Sequence, residues 1–359
     1  MKITLRQTSD GIAIFIVLIS VMALTAMAFV FASQMKVETK LAMNSNNESE
    51  LEWLGRSGIE LARYTLAQEI STPGPGQRFD ALNQKWADGP ADTNDVLAGI
   101  SLDDIPLGNG FIRKVKITDN ERKVNINTAV NNEALMTQAM ILIGVDASEI
   151  PTIIGSIQDW IDPDDETHVN GAESDYYQTL DPPYFAKNAP IDDLSELLLI
   201  KGINSDIYFG PNSTNHPPSR FQGRSPDGNG LNPTSQATVG MVDVFTPISS
   251  GLININTASA TTLRMIGMDE ATADKIISLR AGPDGVDGTE DDMPFSNVGE
   301  IINAGLPSQI AQQFMSLLTV RSSTFEVEVD VEVGQSHRKY FATLRRDTRN
   351  IQILGMRWE

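Results

Sequence analysis

An uncharged apolar segment near the N-terminus constrains this chain more than any other feature. The segment, GIAIFIVLISVMALTAMAFVFASQM, runs from Gly11 to Met35 and follows a short polar stretch that contains Lys2 and Arg6. A helix of this length can cross the hydrocarbon core of a bilayer, which is roughly 30 Å thick. The segment is too long for an ordinary cleaved secretory signal. Because basic residues favour the cytoplasmic side, we expect one membrane anchor with the bulk of the chain beyond it.

The junction before this segment resembles a type IV prepilin signal, in which a polar leader is cut after a glycine. The cut would fall between Gly11 and Ile12, and the apolar helix would remain in the mature chain. Two residues depart from that pattern: Asp10 stands where a basic residue is usual, and Ile16 stands at mature position five, where Glu is usual. A plain single-span anchor has the same hydropathy, so both interpretations are open on this segment alone.

A helical pattern continues beyond the apolar segment. Apolar residues recur there at roughly helical spacing with charged and small residues between them, which predicts an amphipathic helix. The pattern ends at Ser71-Thr72-Pro73-Gly74-Pro75-Gly76, where two prolines break it. We therefore predict one helix over residues 12–70, with residues 12–34 in the membrane. The predicted packing residues of its second half are Leu51, Leu54, Ile59, Ala62 and Leu66.

Strand patterns stand on both sides of a long helical middle. Residues 324–333, TFEVEVDVEV, alternate strictly between apolar and acidic side chains, which predicts a strand with one buried and one solvated face. Together these patterns predict an α+β fold in which the long N-terminal transmembrane, pilin-like helix packs on an antiparallel sheet. The other predicted strands are residues 110–117, 122–126, 337–346 and 350–358.

The middle of the chain contains an internal repeat, recognised by three landmarks that occur twice in the same order. An Asn-Ile-Asn-Thr-Ala segment is followed by a Gly-x-Asp turn and then by a segment that begins with proline. The first copies are Asn125–Ala129, Gly144–Asp146 and Pro190–Leu197, and the second copies are Asn254–Ala258, Gly267–Asp269 and Pro294–Ile301.

Each repeat is typical of a helix-hairpin-helix unit, with Thr128 or Thr257 as the expected helix cap. We therefore predict a large all-α, SAM-like duplicated insert over residues 126–319, with repeats at about 125–203 and 254–306. The predicted division is a leader (1–11), the membrane part of the helix (12–34), the pilin-like helix and first strands (35–125), the insert, and closing strands (320–359).

The charge of the insert argues against nucleic acid as its ligand. Residues 126–319 carry 7 basic and 26 acidic side chains, so this region holds −19 of the −20 net charge of the chain. Proteins that bind DNA through helix-hairpin-helix units need basic residues near the phosphates. The repeats are therefore expected to form a scaffold for protein contacts.

Two acidic, glycine-containing loops, residues 159–175 and 282–292, occupy the same position in the two repeats. Calcium suits such loops because it takes six to eight oxygen ligands in flexible geometry. Zinc is disfavoured, since the chain has no cysteine and only three histidines. A solvated acidic surface is the alternative. The candidate calcium ligands are Asp162, Asp164, Asp165, Glu173 and Asp175 in the first loop and Asp284, Asp287, Asp291 and Asp292 in the second.

The sequence contains no pattern typical of an enzyme. The Gly-x-Ser-x-Gly, His-Glu-x-x-His and P-loop motifs are all absent from the sequence. Carboxylates are so frequent in the insert that no pair of them is diagnostic of a glycosidase. We expect a protein without catalytic residues.

Taken together, these features resemble the minor pseudopilin K family of type II secretion systems, also called general secretion pathway protein K. The resemblance spans essentially the whole chain and includes Asp159-Trp160-Ile161-Asp162 and Tyr184–Pro190. The absence of Glu at mature position five is a feature of this family.

The resemblance implies a pseudopilin at the tip of a short periplasmic pseudopilus, anchored by a single pass in the inner membrane. It implies cleavage by the prepilin peptidase, and contacts with other minor pseudopilins, the major pseudopilin and the inner-membrane assembly platform. It also implies that the insert binds calcium. The alternatives are a membrane-tethered helix-hairpin-helix protein for DNA uptake, which should carry a basic stripe, and a minor type IV pilin, which usually keeps Glu at position five.

Overall fold

A single helix of 62 residues, α1 (Asp10–Ser71), forms the long axis of the computed structural model. The structure describes residues 10–71, 79–90, 97, 99–210, 239–303, 312, 314–347 and 350–359. The helix predicted for residues 12–70 is thus confirmed to within two residues at each end. Its first half is exposed along its whole apolar length, while its second half buries the five predicted packing residues.

The second half of α1 lies on a five-stranded antiparallel sheet with the strand order β1-β2-β7-β8-β9. The predicted sheet and its antiparallel pairing are confirmed. The strand with strict alternation is β7, whose valines are buried against α1 and whose acidic residues face the other side. The strands are β1 (Asp103–Leu107), β2 (Gly110–Asp119), β7 (Thr324–Val333), β8 (Ser336–Arg346) and β9 (Ile351–Trp358).

Two glycines let α1 approach the sheet closely. A Cβ atom placed on Gly55 would lie 2.3 Å from the Tyr340 ring, and one on Gly58 would lie 2.3 Å from Val329 Cγ1. Real Cβ atoms do not come so close to other heavy atoms, so a larger residue at either position would push the helix away from β7 and β8.

The strands β2 and β7 are neighbours in the sheet although some 200 residues of sequence separate them. Asp119 at the end of β2 pairs with Phe325 at the start of β7. The intervening chain therefore leaves and re-enters the sheet at one point. The structure places there the short pairs β3 (Val124–Asn125) with β4 (Phe245–Thr246) and β5 (Ile253–Asn254) with β6 (Leu318–Thr319), both parallel.

In the described residues outside α1 and the sheet, short helices alternate with turns and irregular segments. Three 3₁₀ turns, Lys85–Ala87, Asn120–Arg122 and Leu194–Leu199, accompany the α-helices. The helices that follow α1 are α2 (Ile126–Ala129), α3 (Glu133–Ile143), α4 (Ile150–Ile161), α5 (Ser174–Tyr177), α6 (Ser205–Phe209), α7 (Met241–Val244), α8 (Ala260–Met265), α9 (Glu270–Arg280) and α10 (Glu300–Asn303).

Two separate hydrophobic clusters divide the described residues. The first, here called the body, joins α1 to the sheet with residues between Leu51 and Ile117 and between Phe325 and Ile351. The second, here called the head, contains buried residues between Val124 and Leu318. Each cluster contains enough apolar side chains to form its own core.

Corresponding residues of the two repeat segments make matching hydrogen bonds. The Asn127 side chain donates to Ile191 O over 2.9 Å and accepts from Ile191 N over 2.8 Å. Asn256 makes the same pair of bonds with Phe295, over 3.0 and 2.9 Å. The tight turns also correspond, since Gly144 and Gly267 both have positive φ angles, of 88° and 99°.

Several local expectations from the sequence were wrong. The helix caps are Asn132 and Ser259, because Thr128 and Thr257 instead bond back to the carbonyl oxygens of Asn125 and Asn254. The strand predicted over residues 122–126 is only the two-residue β3. The strand β1 was not predicted because Pro106 and two aspartates obscure its pattern.

Candidate functional site

The strongest concentration of buried carboxylates lies where helix α4 ends. Ile153, Ile157 and Trp160 pack one face of this helix into the head core, and Asp159 lies beside them with none of its surface exposed. Asp162 ends the helix as its C-terminal cap. The chain then loops outward and returns at Glu173, which is also buried.

The structure brings side chains of this first loop together in two overlapping groups. Asp162, Asp164 and Glu173 offer carboxylate oxygens that all lie within 4.8 Å of one another. Asp162 also belongs to a second group, with Asp159 and His168, that meets the same distance. Three of the candidate ligands from the sequence therefore meet at one place, and Asp162 is common to both groups.

The carboxylates of this cluster retain oxygens that no donor reaches. In the part of the chain that the structure describes, Asp159 Oδ2, Asp162 Oδ1 and both oxygens of Glu173 are buried without a hydrogen-bond partner. A buried carboxylate oxygen without a donor is costly in free energy, because burial removes its water. Four such oxygens in one cluster are the arrangement that a bound cation would satisfy.

His168 fixes the orientation of Asp159. Its backbone N–H donates to Asp159 Oδ1 over 2.8 Å, and its Nδ1 lies 2.7 Å from the same oxygen. Asp159 Oδ2 is left free and faces Gly171, where an added Cβ would come within 2.0 Å of it. Only glycine fits at this position, so the loop backbone can close over the cluster.

The remaining predicted ligands of the first loop lie outside the two groups. The Asp165 carboxylate accepts from Asn188 Nδ2 over 3.1 Å, and Asn188 also donates to the backbone oxygen of Asp164 over 2.8 Å. Asp175 is exposed in the first turn of α5. Asn188 Oδ1 is itself buried without a donor among the described residues, so it is a further oxygen close to the cluster.

Sequence reasoning did not select Asp159 or His168 as candidate ligands. Asp159 and Asp162 are three residues apart at the end of an amphipathic helix, which places them on one face. That spacing was a usable signal. His168 gave none, because the loop conformation alone brings it back to α4.

The carboxylates of the cluster are buried and repel one another, and burial together with this repulsion raises the pKa of two of them. Burial, together with the negative charges of Asp159 and Asp162, raises the pKa of Glu173 to about 7. Burial and the charge of Asp164 also raise the pKa of Asp162. Carboxyl groups that repel one another in a buried position hold their protons more tightly, and a divalent cation removes that repulsion.

The donor set of the cluster fits a hard divalent cation. It consists of carboxylate oxygens and the amide oxygen of Asn188, which are among the ligands that calcium takes. His168 is the single nitrogen donor, and its ring is already engaged with Asp159. The first loop thus contains an acidic cluster that could hold a metal ion.

The second acidic loop is arranged differently, because a buried arginine neutralises part of it. Arg280, at the end of α9, binds both oxygens of Asp287 over 2.9 and 2.7 Å. The same guanidinium donates to the carbonyl oxygens of Ile255 and Ala258, each over 2.7 Å. This contact attaches the second loop to the second Asn-Ile-Asn-Thr-Ala segment.

The other aspartates of the second loop accept hydrogen bonds within it. Asp291 accepts from Thr289 and from the backbone of Asp284, which lowers the pKa of its carboxyl group. Asp292 accepts from Gly288 N over 2.8 Å. Within residues 282–292, all of which the structure describes, no three acidic side chains meet the spacing found in the first loop. The calcium site predicted for this loop stays a prediction.

The N-terminal segment meets the length and composition of a membrane span. A window of α1 has a mean hydropathy of 2.8 and no buried residue. Gly11 and Ile12, between which cleavage is predicted, both lie within α1. Of the predicted leader, residues 1–11, the first nine lie outside the described residues.

Comparison with known proteins gives consistent results. The family model "Type II secretion system (T2SS), protein K" matches residues 119–209, which include the first repeat segment and its acidic loop. Type II secretion system protein K of Pectobacterium carotovorum subsp. carotovorum is 24% identical over 217 residues, and that of Klebsiella pneumoniae is 27% identical over 220 residues. In both comparisons the aligned part spans 57% of this chain and 61% of the relative.

A solved structure has the same fold. A chain of the GspK-GspI-GspJ complex from the enterotoxigenic Escherichia coli type 2 secretion system superposes with a TM-score of 0.61 at 19% sequence identity. The superposition covers 89% of this chain and 99% of that one. Over the matched residues the chain is thus similar in sequence to type II secretion system protein K, and its fold is that of the solved chain.

Proposed function

We propose that this chain is the minor pseudopilin at the tip of a type II secretion pseudopilus, where it initiates and caps assembly. The observation that carries the proposal is the division of α1. Its first half is apolar and exposed over the length of a membrane span, and its second half is packed into the body. Such a subunit can leave the membrane by moving along its own helix axis, as pilus assembly requires.

The proposed maturation follows from the same segment. The prepilin peptidase would cut between Gly11 and Ile12 and leave the apolar helix at the new N-terminus. The mature chain would be anchored by one pass in the inner membrane with its bulk in the periplasm. Ile16 replaces the usual Glu, which in a shaft subunit would pair with the N-terminal ammonium of a neighbour. A subunit at the end of the array has one neighbour fewer, so it has no ammonium group for such a Glu to neutralise.

The position of the head supports a place at the tip. The chain leaves the sheet after β2 and returns to it at β7, and the described residues between these strands form the second core, the head. We interpret them as a duplicated helix-hairpin-helix insert, with the body formed by residues 35–125 and 320–359. The matching bonds of Asn127 and Asn256 support the duplication. A head of this size would obstruct the addition of another subunit above it.

The first acidic loop is proposed to bind calcium. Asp162, Asp164 and Glu173 would supply carboxylate oxygens, and Asp159 would add the oxygen that His168 leaves free. The cation would close a loop of the head in a chain that has no cysteine for a disulfide. Asp165 and Asp175 stay in the proposed ligand set because they belong to the same loop, although they lie outside the two carboxylate groups.

The second loop is proposed as a further calcium site formed by Asp284, Asp287, Asp291 and Asp292. Of these four, Asp287 is already balanced by Arg280. Calcium there would compete with Arg280 for Asp287, so this site is expected to be the weaker of the two. The loop then serves as a salt-bridged attachment even without an ion.

The proposed partners are other minor pseudopilins of the same system, together with the major pseudopilin and the inner-membrane assembly platform. The solved complex that contains GspK, GspI and GspJ supports a tip complex of three minor pseudopilins. Nucleic acid is not proposed as a partner. In the hairpins, Asp146 binds Ser148 and Asp269 binds the amide of Thr272, so carboxylates occupy amides that a phosphate would need.

A secretion assay in the source bacterium tests the proposal. Deletion of the gene is expected to leave type II substrates in the periplasm, and the full-length chain supplied in trans is expected to restore their export. A matched variant with Gly11→Val should be produced but not processed, and should fail to restore export. Normal export in the deletion strain would overturn the proposed function.

A further inference from the structure

The two edges of the body sheet differ in how they are protected. The β1 edge has five residues, two exposed aspartates and Pro106, which has no N–H to offer. Charges, prolines and short length are the usual means by which proteins prevent strand pairing at an edge. The β9 edge has eight residues, IQILGMRW, without lysine, acid or proline.

The backbone of β9 presents hydrogen-bonding groups away from the sheet. Lys339 and Glu359 exchange both backbone hydrogen bonds, over 3.2 and 2.9 Å. In an antiparallel pair such bonded positions alternate with positions whose groups point outward. Given the register of β8 with β9, the outward positions are Met356 and Trp358. The β9 strand is last in the sheet order, so no strand among the described residues pairs with this edge.

The apolar side chains of β9 form a shelf on the side of the sheet that carries α1. Trp358 pairs with Tyr340, Met356 with Ala342 and Ile353 with Leu344, and the three partners on β8 are buried. On β9 itself, the exposed fraction is 62% for Trp358, 38% for Met356 and 41% for Ile353. The helix covers β7 and β2 most fully and leaves β9 projecting beyond it. We call Ile353, Met356 and Trp358 the β9 shelf.

The end of the shelf is fixed by α1. The Arg338 guanidinium lies 4.3 Å from the centre of the Trp358 ring and forms an ion pair with Glu48 of α1 over 2.6 Å. The indole is therefore held in place on an exposed surface by a cation–π contact. A fixed, exposed tryptophan beside a free strand edge is typical of an anchor residue in a protein interface.

Charge completes the description of the surface. Arg345 is exposed, and no ion pair joins it to a carboxylate among the described residues. Arg345 lies on the face opposite the shelf, since its neighbours Leu344 and Arg346 are buried. A complementary strand would carry apolar side chains on its shelf side and an acidic side chain on the other.

We infer that the β9 edge docks an extended strand of a neighbouring minor pseudopilin, with the β9 shelf covered by its apolar side chains. The inference rests on the proposed function, which supplies the partner. The outward N–H and C=O groups of Met356 and Trp358 favour a strand, because a strand matches their spacing along an edge. The outward groups and the shelf would then be removed from water together.

Hydrogen exchange of the full-length complex is the direct test. The chain is produced with the two minor pseudopilins of its own system that correspond to GspI and GspJ, and is purified in detergent. The peptide over residues 351–359 is expected to exchange at least tenfold more slowly in the complex than in the chain alone. The peptide that contains β1 should be unchanged.

Two variants test the β9 edge and its shelf: Met356→Pro alters an outward N–H together with a shelf side chain, and Trp358→Ala alters a shelf side chain alone. Met356→Pro removes an outward N–H that β8 does not use, and is expected to lower the yield of complex at least tenfold. Trp358→Ala should weaken the complex by a similar factor, whereas Leu107→Ala on the β1 edge should leave it intact. Should Met356→Pro not fold, as judged by circular dichroism, Met356→Lys takes its place.

The outcomes are distinguishable. A complex that forms with unprotected β9 amides and tolerates both β9 variants overturns the docking inference and leaves the proposed function standing. Absence of any complex with the unaltered chain overturns both. Protection of β9 in the chain alone, with a doubled mass in detergent, would assign the edge to a second copy of the chain and also overturn the inference.

Discussion

The Asn254 side chain donates a hydrogen bond to the Asp119 carboxylate over 3.1 Å, and this contact joins the head to the body. The same amide group also bonds Asp80 O over 3.1 Å and Ser322 Oγ over 2.8 Å. Thr257 donates to the same oxygen of Asp119 over 2.6 Å. The second repeat segment is thus attached to the end of β2 through a fully buried polar network.

Removal of the Asn254 amide tests how much this contact between head and body contributes to stability. Asn254→Ala would leave the buried Asp119 oxygen with one donor fewer, so we expect a loss of about 2–3 kcal/mol in the free energy of unfolding. The matched control is Asn125→Ala in the first repeat. Both side chains accept from the backbone N–H two residues further on, but among the described residues the Asn125 NH2 group donates only to Ser249 O, so this change should cost about 1 kcal/mol. Urea unfolding of residues 34–359 measures both. Equal losses would contradict a special role for Asn254.

Calcium is expected to stabilise the head through the first acidic loop. A site that binds only the folded chain adds about 2.7 kcal/mol at a calcium concentration one hundred times its dissociation constant. Melting of residues 34–359 in EGTA and then in calcium measures this gain. Asp162→Ala should abolish it because Asp162 is common to both carboxylate groups.

The control for that measurement lies on the same loop. Glu166 is exposed and its carboxylate makes no contact in the cluster, so Glu166→Gln should retain the full calcium response. An equal rise with magnesium, or a response that survives Asp162→Ala, would show that the cluster is not the calcium site.

The sequence allowed the frame of the fold to be predicted but only part of this cluster. The strand β7 was predicted at its observed bounds because its valines alternate strictly with acidic residues. The ligand groups depend instead on how a loop returns to a helix end, which periodicity does not encode. Asp159 and His168 were missed for this reason.

The second loop illustrates the same limit. A dense run of carboxylates predicts repulsion or a cation, but the cation that the structure shows at Asp287 is the Arg280 side chain. Arg280 lies in the preceding helix, and its burial beneath the loop follows from tertiary packing. A local charge pattern could not reveal it.

Asp287 offers a prediction that separates a salt bridge from a metal ligand. Asp287→Asn would leave the buried Arg280 charge without its carboxylate, so we expect a loss of about 2–4 kcal/mol in EGTA and in calcium alike. Chemical unfolding under both conditions measures this. A loss that appears only when calcium is present would contradict this prediction and would show that Asp287 stabilises the fold mainly as a calcium ligand.

The stability of the calcium-free chain should fall between pH 5 and pH 7.5. Burial raises the pKa of Glu173 to about 7, and burial with the charge of Glu121 raises the pKa of Asp119 to about 7. A carboxyl group whose pKa is raised on folding stabilises the fold below its ordinary pKa, and that contribution is lost as pH rises through the folded value.

Melting temperatures across this pH range in EGTA measure the effect, and calcium should oppose the part that comes from Glu173. Glu173→Gln carries no titrating proton and should flatten the profile, while Asp119→Asn serves as the matched change at the joint. A profile that rises with pH, or one that neither substitution alters, would contradict the account of both buried carboxyl groups.

The place of this chain in the assembled fibre tests the central claim most directly. Pseudopili are extended by overproduction of the major pseudopilin in the source bacterium, and an epitope on this chain is labelled with gold for electron microscopy. We expect label at one end of each fibre and none along the shaft. Label distributed along the length, or fibres without label, would contradict the proposal that this chain caps the tip.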